Sequence, residues 1–559
     1  MKALNIKIIF SLICGATACF LIGHNYGTFF FLSPTEHENT TQRVALLEKK
    51  ISALSEAHAT NTSNLLGALK KSPAKETTGT TTTPHSKWIA IQKQAKDAVV
   101  QIFAQVPEFN WLEPYKVPNH AEGSGTGFFI NEEGDILTNF HVVGSGESIQ
   151  IQMPILGRKR LEASIIGASP ERDVALLRLS EDAKKQIRAQ LGAIPFLPFG
   201  DSDKLPRGQE ILALGFPLGM EHIKGTQGII SGLERMGLID SQLCFQMTAA
   251  INPGNSGGPS IDEYGNVIGI NFAIIKGANS VAFVIPINDV KHALKDLYTV
   301  KLLRKPKLGC GLCPSSKALA HYLATPEVGC YVTTVVKNSL AEKIGIKTGD
   351  IVYQVNGHQL DFYGDTTAPW SDEKVSISDI LNRESVGDPL EFLVYRKGES
   401  VSCKGSIEPR YLLPVRQMFP GYETIDYEVF GGLVVMNLSL NHIMIFAEHF
   451  PTLIKYTLPD NFHKSAVIIT HLLPTSAAYK NKRNALSDNG TLMPGLIIDE
   501  INGEKIKNLE EFRSAIKKSA DSGFTVMKTE DKNITVFNYH DLVADENRLK
   551  SMFNYQSKI

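Results

Sequence analysis

The sequence predicts a mainly β protein, and two observations carry this. From Trp88 onward, short runs rich in Val, Ile and Leu alternate with Gly, Pro and Asp turns, at 98–103, 127–130, 149–153, 174–179, 211–214 and 267–272. Strands at this frequency suggest an all-β barrel or sandwich. Further on, a strand followed by Asn-Gly occurs twice, at 350–357 and 498–503, as an internal duplication would leave it. The length of 559 residues, at roughly 150 per domain, suggests three or four domains.

Composition narrows the class. The chain has 57 Lys+Arg against 58 Asp+Glu, a net charge of −1, with 43% hydrophobic and 21% charged residues. These values exclude a wholly disordered chain, a collagen and a polytopic membrane protein. Near-zero net charge removes the broad electrostatic case for nucleic acid as a partner. Seven cysteines are too few for a disulfide framework, and Cys14 and Cys19 lie in the N-terminal apolar run.

At the N-terminus, Lys2 and Lys7 flank an apolar stretch over 8–22, with Ala16-Thr17-Ala18 as an A-x-A cleavage site. Residues 1–35 read as a signal peptide or a membrane anchor, and both readings export the rest of the chain. An uncleaved anchor would keep its N-terminus inside. Residues 36–87 read as a linker or stalk. Val44, Leu47, Ile51 and Leu54 mark one short amphipathic helix, and the tract Thr77-Thr78-Gly79-Thr80-Thr81-Thr82-Thr83-Pro84 cannot build a core.

Residues 88–300 form the first folded unit, closed by a helical pattern over 287–298. Gly123-Ser124-Gly125-Thr126-Gly127 is not a phosphate loop. It runs into Phe128-Phe129-Ile130 and a turn, so it reads as a hairpin. Three segments carry chemistry: Leu137-Thr138-Asn139-Phe140-His141-Val142-Val143, Arg172-Asp173-Val174 and Asn252-Pro253-Gly254-Asn255-Ser256-Gly257-Gly258-Pro259. Each alone is a strand end, a turn or a loop. Their order, His then Asp then Ser, is one of the known orders of a Ser-His-Asp triad. A serine hydroxyl needs an adjacent base, which His141 would supply. Asp173 would hold the imidazole tautomer and stabilise the imidazolium. The N–H groups of Gly254 and Ser256 would face a developing oxyanion, with Asn255 shaping the loop and offering a supporting N–H.

These segments resemble the HtrA/Deg family of trypsin-like serine proteases. So do Gly200-Asp201-Ser202-Asp203-Lys204-Leu205, Leu214-Gly215-Phe216-Pro217-Leu218-Gly219, Ala249-Ala250-Ile251 before the serine loop, and Ala282-Phe283-Val284-Ile285-Pro286. The resemblance implies a chymotrypsin-like double β-barrel with the active site between barrels. It also implies ATP-independent endopeptidase action on misfolded or damaged proteins. By the family's arrangement, Ala249, Ala250, Ile251, Ile270, Asn271 and Phe272 border the primary specificity pocket. None is charged, which favours cleavage after small or medium apolar residues. Two positions depart from the family: Thr248 replaces a common acidic residue, and Phe140, in place of a small one, would crowd His141.

Residues 307–408 resemble a PDZ domain, an α+β unit. Gly329-Cys330-Tyr331-Val332 reads as a strand, Ser339 caps a helix with Glu342 three residues on, and Gly349-Asp350-Ile351-Val352 leads into Asn356-Gly357. The resemblance makes Leu308, Gly309 and Cys310 the loop that receives a peptide C-terminus, with 376–382 the helix beside the groove. Cys310-Gly311-Leu312-Cys313 lacks the second pair of a zinc site and the βαβ context of a redox motif; a strained bridge between its cysteines stays open. Residues 409–541 resemble the atypical second PDZ domain of plant-type Deg proteases, and 542–559 read as a C-terminal tail. The family implies a homo-oligomer, a trimer or a multiple of trimers, and 103–111 reads either as a contact segment for it or as core. No metal site and no cofactor is expected. The alternative function is a non-enzymatic chaperone or PDZ scaffold on a protease fold.

Overall fold

The computed structural model describes residues 84–236, 242–274, 281–408, 412–458, 461, 463–484 and 492–559. The signal or anchor reading of 1–35 and most of the linker reading lie outside these. Among the described residues, no helix is long and apolar enough to cross a membrane.

Short apolar strands, several of them buried on both faces, build two closed barrels. The first is formed by β1 (Val99–Glu108), β2 (Asn119–Phe129), β3 (Asp135–Thr138), β4 (Ser148–Gln152), β5 (Arg160–Ser169) and β6 (Val174–Leu179), in the order β1-β2-β3-β6-β5-β4. The second comprises β7 (Glu210–Gly215), β8 (Lys224–Met236), β9 (Gln242–Met247), β10 (Pro259–Ile261), β11 (Val267–Ile274) and β12 (Ala282–Pro286), in the order β10-β11-β12-β9-β8-β7. Because side chains alternate along a strand, each strand feeds two cores. In the first barrel Val100, Ile102, Phe129, Ile136, Ala175 and Leu177 fill the interior. Their neighbours Val99, Phe128, Leu137, Val174 and Leu176 meet Leu212, Leu214 and Phe216 of the second barrel. This shared core carries the expected terminal helix, Ile287–Leu297, through Ile287, Val290, Ala293 and Leu297.

In the protease unit, two longer helices escaped the sequence reading. Pro84–Ala95 starts inside the stretch read as linker and buries Trp88, Ile91 and Ala95 in the shared core. Glu181–Leu191 is capped by Ser180, whose hydroxyl accepts the Ala183 N–H at 3.2 Å, with Glu181 and Asp182 in its first turn. That cap and those acids were the legible signal.

The next unit contains β13 (Cys310–Cys313), β14 (Cys330–Val335), β15 (Ile351–Val355), β16 (His358–Gln359), β17 (Asp365–Ala368), β18 (Ser371–Ser376), β19 (Pro389–Arg396) and β20 (Glu399–Ser406). Its main sheet runs β13-β14-β15-β19-β20, so β13 is an edge strand. The helix Ile377–Asn382 has a full capping box from Ser376 and Asp379. Ser339 caps Leu340–Lys343 as expected, but the Glu342 carboxylate reaches the N–H of Asn338 instead of the capping residue. Arg383 docks the unit on the second barrel with two bonds to Asp203 (3.0 and 2.6 Å) and one to Asp289 (2.8 Å).

The last unit contains β21 (Tyr427–Phe430), β22 (Leu433–Asn437), β23 (Val467–Leu472), β24 (Ile497–Ile501), β25 (Glu504–Lys505), β26 (Phe524–Thr529) and β27 (Ile534–Asn538), ordered β21-β22-β23-β24-β26-β27 with β25 on β24. The duplication is structural. Both β15–β16 and β24–β25 turn on an Asn-Gly pair with positive φ at each residue: 42° and 85° at 356–357, 49° and 83° at 502–503. That is the two-residue hairpin Asn-Gly favours.

One reading is corrected by the structure. Residues 542–559 are not a tail: the helix Tyr539–Phe553 buries Leu542 with Phe430 and Phe512, and Leu549 with Val429 and Val434. Phe109 and Trp111, partly buried, pack with Leu112 against Val415, Leu440 and Ile443 of the chain's own last unit. Leu549→Ala should therefore cost roughly 2–5 kcal/mol, and truncation after residue 541 should unfold the last unit. Thermal melting and limited proteolysis check both; an unchanged melt for the truncated protein would contradict the assignment.

Candidate active site

The glycine-rich loop before β10 is held from both barrels. Gly254 has φ +100°, and a Cβ there would meet the Phe216 carbonyl at 2.4 Å, so only glycine fits. The Leu218 N–H donates to the Pro253 carbonyl at 2.6 Å, with Leu218 itself at φ 55°. Among the described residues no peptide bond is cis, so the N–H of Gly254 points opposite to that carbonyl, away from Leu218. Among the described residues, neither the Gly254 nor the Ser256 N–H has a backbone acceptor. These are the two donors expected of an oxyanion site. The Asn255 N–H is not a third, since it donates to the Asn252 carbonyl at 3.0 Å and closes the turn.

Thr126 ties this loop to the first barrel. Its N–H donates to the Ser256 carbonyl at 2.9 Å, its hydroxyl donates to the Gly254 carbonyl at 2.6 Å, and the Phe216 N–H donates to that hydroxyl at 3.0 Å. Gly257 presses against the segment leading to His141: a Cβ there would lie 2.9 Å from the Asn139 nitrogen. The Gly-Ser-Gly-Thr-Gly run is part of β2, as the hairpin reading expected. Sequence reasoning missed Thr126, whose only signal was its place in that run.

His141 follows β3 on the short helix Phe140–Val143. Asp173 ends the turn Pro170–Arg172 in a left-handed conformation, φ 53° and ψ 46°, rare for a non-glycine and a mark of constraint. One carboxylate oxygen accepts the His141 backbone N–H at 2.8 Å, and the other lies 2.6 Å from the ring Nδ1. The Asn139 amide donates to the Asp173 carbonyl at 2.9 Å and fixes the turn. Burial works against the imidazolium, but the Asp173 charge and its hydrogen bond outweigh it, so the pKa of His141 lies above the ordinary 6.5. Ser256 Oγ donates to the Phe272 carbonyl at 3.3 Å. Among the described residues it has no hydrogen bond to His141, a looseness common in unliganded sites.

The six residues expected at the specificity pocket divide. Phe272 supplies the carbonyl beside Ser256. The exposed Ala250 is held by the Thr226 hydroxyl at 2.8 Å, and Ala249 and Ile251 line the second barrel's interior. Ile270 belongs to the core between the barrels. Asn271 is fully buried; its amide donates to the Leu214 carbonyl at 3.1 Å, and its Oδ1 accepts the Ser260 hydroxyl at 2.8 Å. Those two brace the serine loop rather than face a substrate. Thr248 pairs with Ile229, its hydroxyl accepting that N–H at 3.0 Å. Phe140 does not crowd His141, because its ring packs against Phe419 and Tyr422.

In the first PDZ unit, Leu308 is 8% exposed and shares a core with Ile377, Ile380 and Leu381 of the helix beside it. Gly309 takes φ +74°, and Cys310 opens edge strand β13. Cys310 and Cys313 are free thiols at the two ends of that strand. Three residues of strand separate their Cα atoms by roughly 10 Å, beyond disulfide reach, so the bridge left open above is excluded in this conformation. Among the described residues, no three His, Cys, Asp or Glu side chains group as metal ligands.

A trypsin-like peptidase domain model matches residues 125–270, and two PDZ domain models match 331–371 and 420–557. The chain is 31% identical over 310 residues to the "Serine protease Do-like HtrA" of Lactobacillus helveticus, covering 52% of this chain and 70% of that one. The chain belongs to the HtrA family of serine proteases. A "Probable periplasmic serine endoprotease DegP-like" of Chlamydia trachomatis is 35% identical over 243 residues, 42% of this HtrA chain and 46% of the relative. Like it, several curated relatives are matched over only about half of their length. A solved structure titled "HtrA-type protease AlgW with decapeptide" aligns at TM-score 0.45 and 24% identity, over 58% of this chain and 99% of that one.

Two outcomes follow from the His141–Asp173 pair. Because the base must be neutral and its pKa is raised, kcat/KM should fall through an acid limb centred above pH 6.5. Asp173→Asn should lower kcat by roughly 10⁴ and move that limb to lower pH. A pH–rate profile with a peptide substrate checks both, and a limb that stays in place in the variant would refute the pairing.

Proposed function

We propose that this chain is an exported, ATP-independent serine endopeptidase that degrades misfolded or damaged proteins. The observation that carries the reading is the two-point grip of Asp173 on the backbone and ring of His141, beside a loop that presents Ser256 with two unengaged N–H groups.

Each group has a role. Ser256 Oγ leaves the Phe272 carbonyl, passes its proton to His141 Nε2 and attacks the scissile carbonyl. The N–H groups of Gly254 and Ser256 stabilise the resulting oxyanion; one such donor is typically worth ~10²–10³ in rate. His141 returns the proton to the leaving amine, and Asp173 stabilises the imidazolium meanwhile. Water then cleaves the acyl-enzyme with His141 again as base. The uncharged surroundings of Ala249, Ala250, Ile251 and Phe272 favour small or medium apolar residues before the cut. Such residues are buried in folded proteins and exposed in damaged ones, so the pocket itself selects misfolded clients.

The edge position of β13 beside the helix Ile377–Asn382 suits strand addition by a peptide C-terminus at Leu308, Gly309 and Cys310. Assembly into trimers or multiples of them, and residence in the periplasm, free or anchored through 1–35, complete the reading. Relatives named as periplasmic endoproteases support the location.

Wild type should hydrolyse unfolded casein and Ser256→Ala should not; equal rates would leave the chaperone or scaffold alternative standing. Sequenced products should carry Ala, Val, Ile or similar residues before the cut, and a predominance of Lys or Glu would refute the pocket.

A further inference from the structure

The acid–base half of the site is gripped from behind by residues far along the chain. Arg304, on the segment between the protease unit and the first PDZ unit, donates to Glu171 at 3.0 Å and to Glu423 at 2.6 Å. It also donates to the Gln417 carbonyl at 2.9 Å and stacks over the Phe419 ring. Glu171 in turn accepts the Lys305 backbone N–H at 2.6 Å. All three charged side chains are nearly buried, at 12%, 5% and 12% exposure for Arg304, Glu171 and Glu423. Glu171 lies two residues before Asp173, within the turn Pro170–Arg172. The adjoining backbone is zipped too: the Ala168 N–H donates to Lys301, and the Leu303 N–H donates to Ala168.

The same connector, 412–426, reaches the helix that carries His141. The Phe140 ring packs on Phe419 and Tyr422 with centroids 5.9 Å apart in each case, and the Tyr422 hydroxyl donates to the Gly144 carbonyl at 2.9 Å. From the other side, Arg172 donates to the Asn382 carbonyl at 3.2 Å, at the end of the helix beside the first PDZ groove. Residues flanking both His141 and Asp173 are thus held by the PDZ half of the molecule.

We propose that Glu171 and Arg304 are positioning residues for the His141–Asp173 pair, through which the segment joining the two PDZ units sets the geometry of the catalytic base. The inference rests on the protease reading for its rate consequence, and on geometry alone for its effect on His141. Asp173 sits in a strained left-handed conformation, so its carboxylate stays aimed only while the preceding turn is over-determined. The ion pairs of Glu171 supply that constraint from outside the barrel. Because buried charges without partners are costly, the connector cannot withdraw from Arg304 without the turn responding.

The test uses the full chain with two mild substitutions, Glu171→Gln and Tyr422→Phe. In each, kcat on a peptide substrate should fall about 10- to 100-fold while KM moves by no more than about two-fold, as for small displacements of reacting groups. Glu171→Asp should recover part of the loss. The independent readout is the pKa of His141, followed by its ring-proton resonances on a Ser256→Ala background. Both variants should lower it, because a loosened Asp173 stabilises the imidazolium less. A melting temperature equal to wild type with unchanged kcat and unchanged His141 titration in both variants overturns the inference. If wild type fails to cut casein while the His141 pKa still falls in the variants, the protease reading fails and the positioning role stands.

Discussion

Everything in this molecule depends on two barrels being locked at one registration. His141 and Asp173 come from the first, Ser256 and its glycine-rich loop from the second, so the candidate site exists only where the two barrels meet. The registration is set by an apolar core to which both contribute the outward face of their strands, Phe128, Leu137 and Leu176 against Leu212, Leu214 and Phe216. Two helices with distant sequence origins, Pro84–Ala95 and Ile287–Leu297, seal it. Burying one such side chain contributes ~1.5–3 kcal/mol, so the interface is strong enough to impose strain locally.

That strain appears where the chemistry would occur. Asp173, Leu218 and Gly254 all have positive φ, and each is held by bonds that cross between loops: Asn139 to Asp173, Leu218 to Pro253, Thr126 to Gly254. The pattern is a division of labour. Apolar packing fixes the coarse position of the two halves, and a few directional hydrogen bonds fix the orientation of a carboxylate and a peptide plane. A packing contact tolerates small shifts that an oxyanion donor or an imidazole tautomer does not.

Much of this was legible in the sequence because residue type and order are strongly constrained there. Short apolar runs between turn residues gave the strands, and His141, Asp173 and Ser256 stood out as candidates through chain order and glycine context. What stayed hidden depended on tertiary pairing. Thr126 looked like one residue of a glycine run, yet it joins the barrels at the serine loop. Arg172 looked like a turn residue and Glu171 drew no reading at all, and nothing local indicated partners more than a hundred positions away. Phe140 was read as a liability because the aromatic pair that receives it lies in a connector with no strand or helix pattern. The pocket residues Ile270 and Asn271 were assigned by neighbourhood alone, and the pleat turns them into the supporting layer.

These distant contacts are not spread evenly over the site. Residues flanking His141 and Asp173 receive bonds from the PDZ units and their connectors. The serine loop, by contrast, is braced by Thr126, Leu218 and Asn271 of the barrels themselves. The bonds that shape this loop begin and end within the protease unit. The base half has no such independence, because the ion pairs of Glu171 and the aromatic contacts of Phe140 both end outside the barrels. The asymmetry has a physical logic. An oxyanion loop is demanding to build, since it needs positive φ and aimed N–H groups, whereas a carboxylate that orients an imidazole changes the base through a small displacement. The proposed Glu171–Arg304 link would therefore act where a slight movement alters reactivity most and disturbs the fold least.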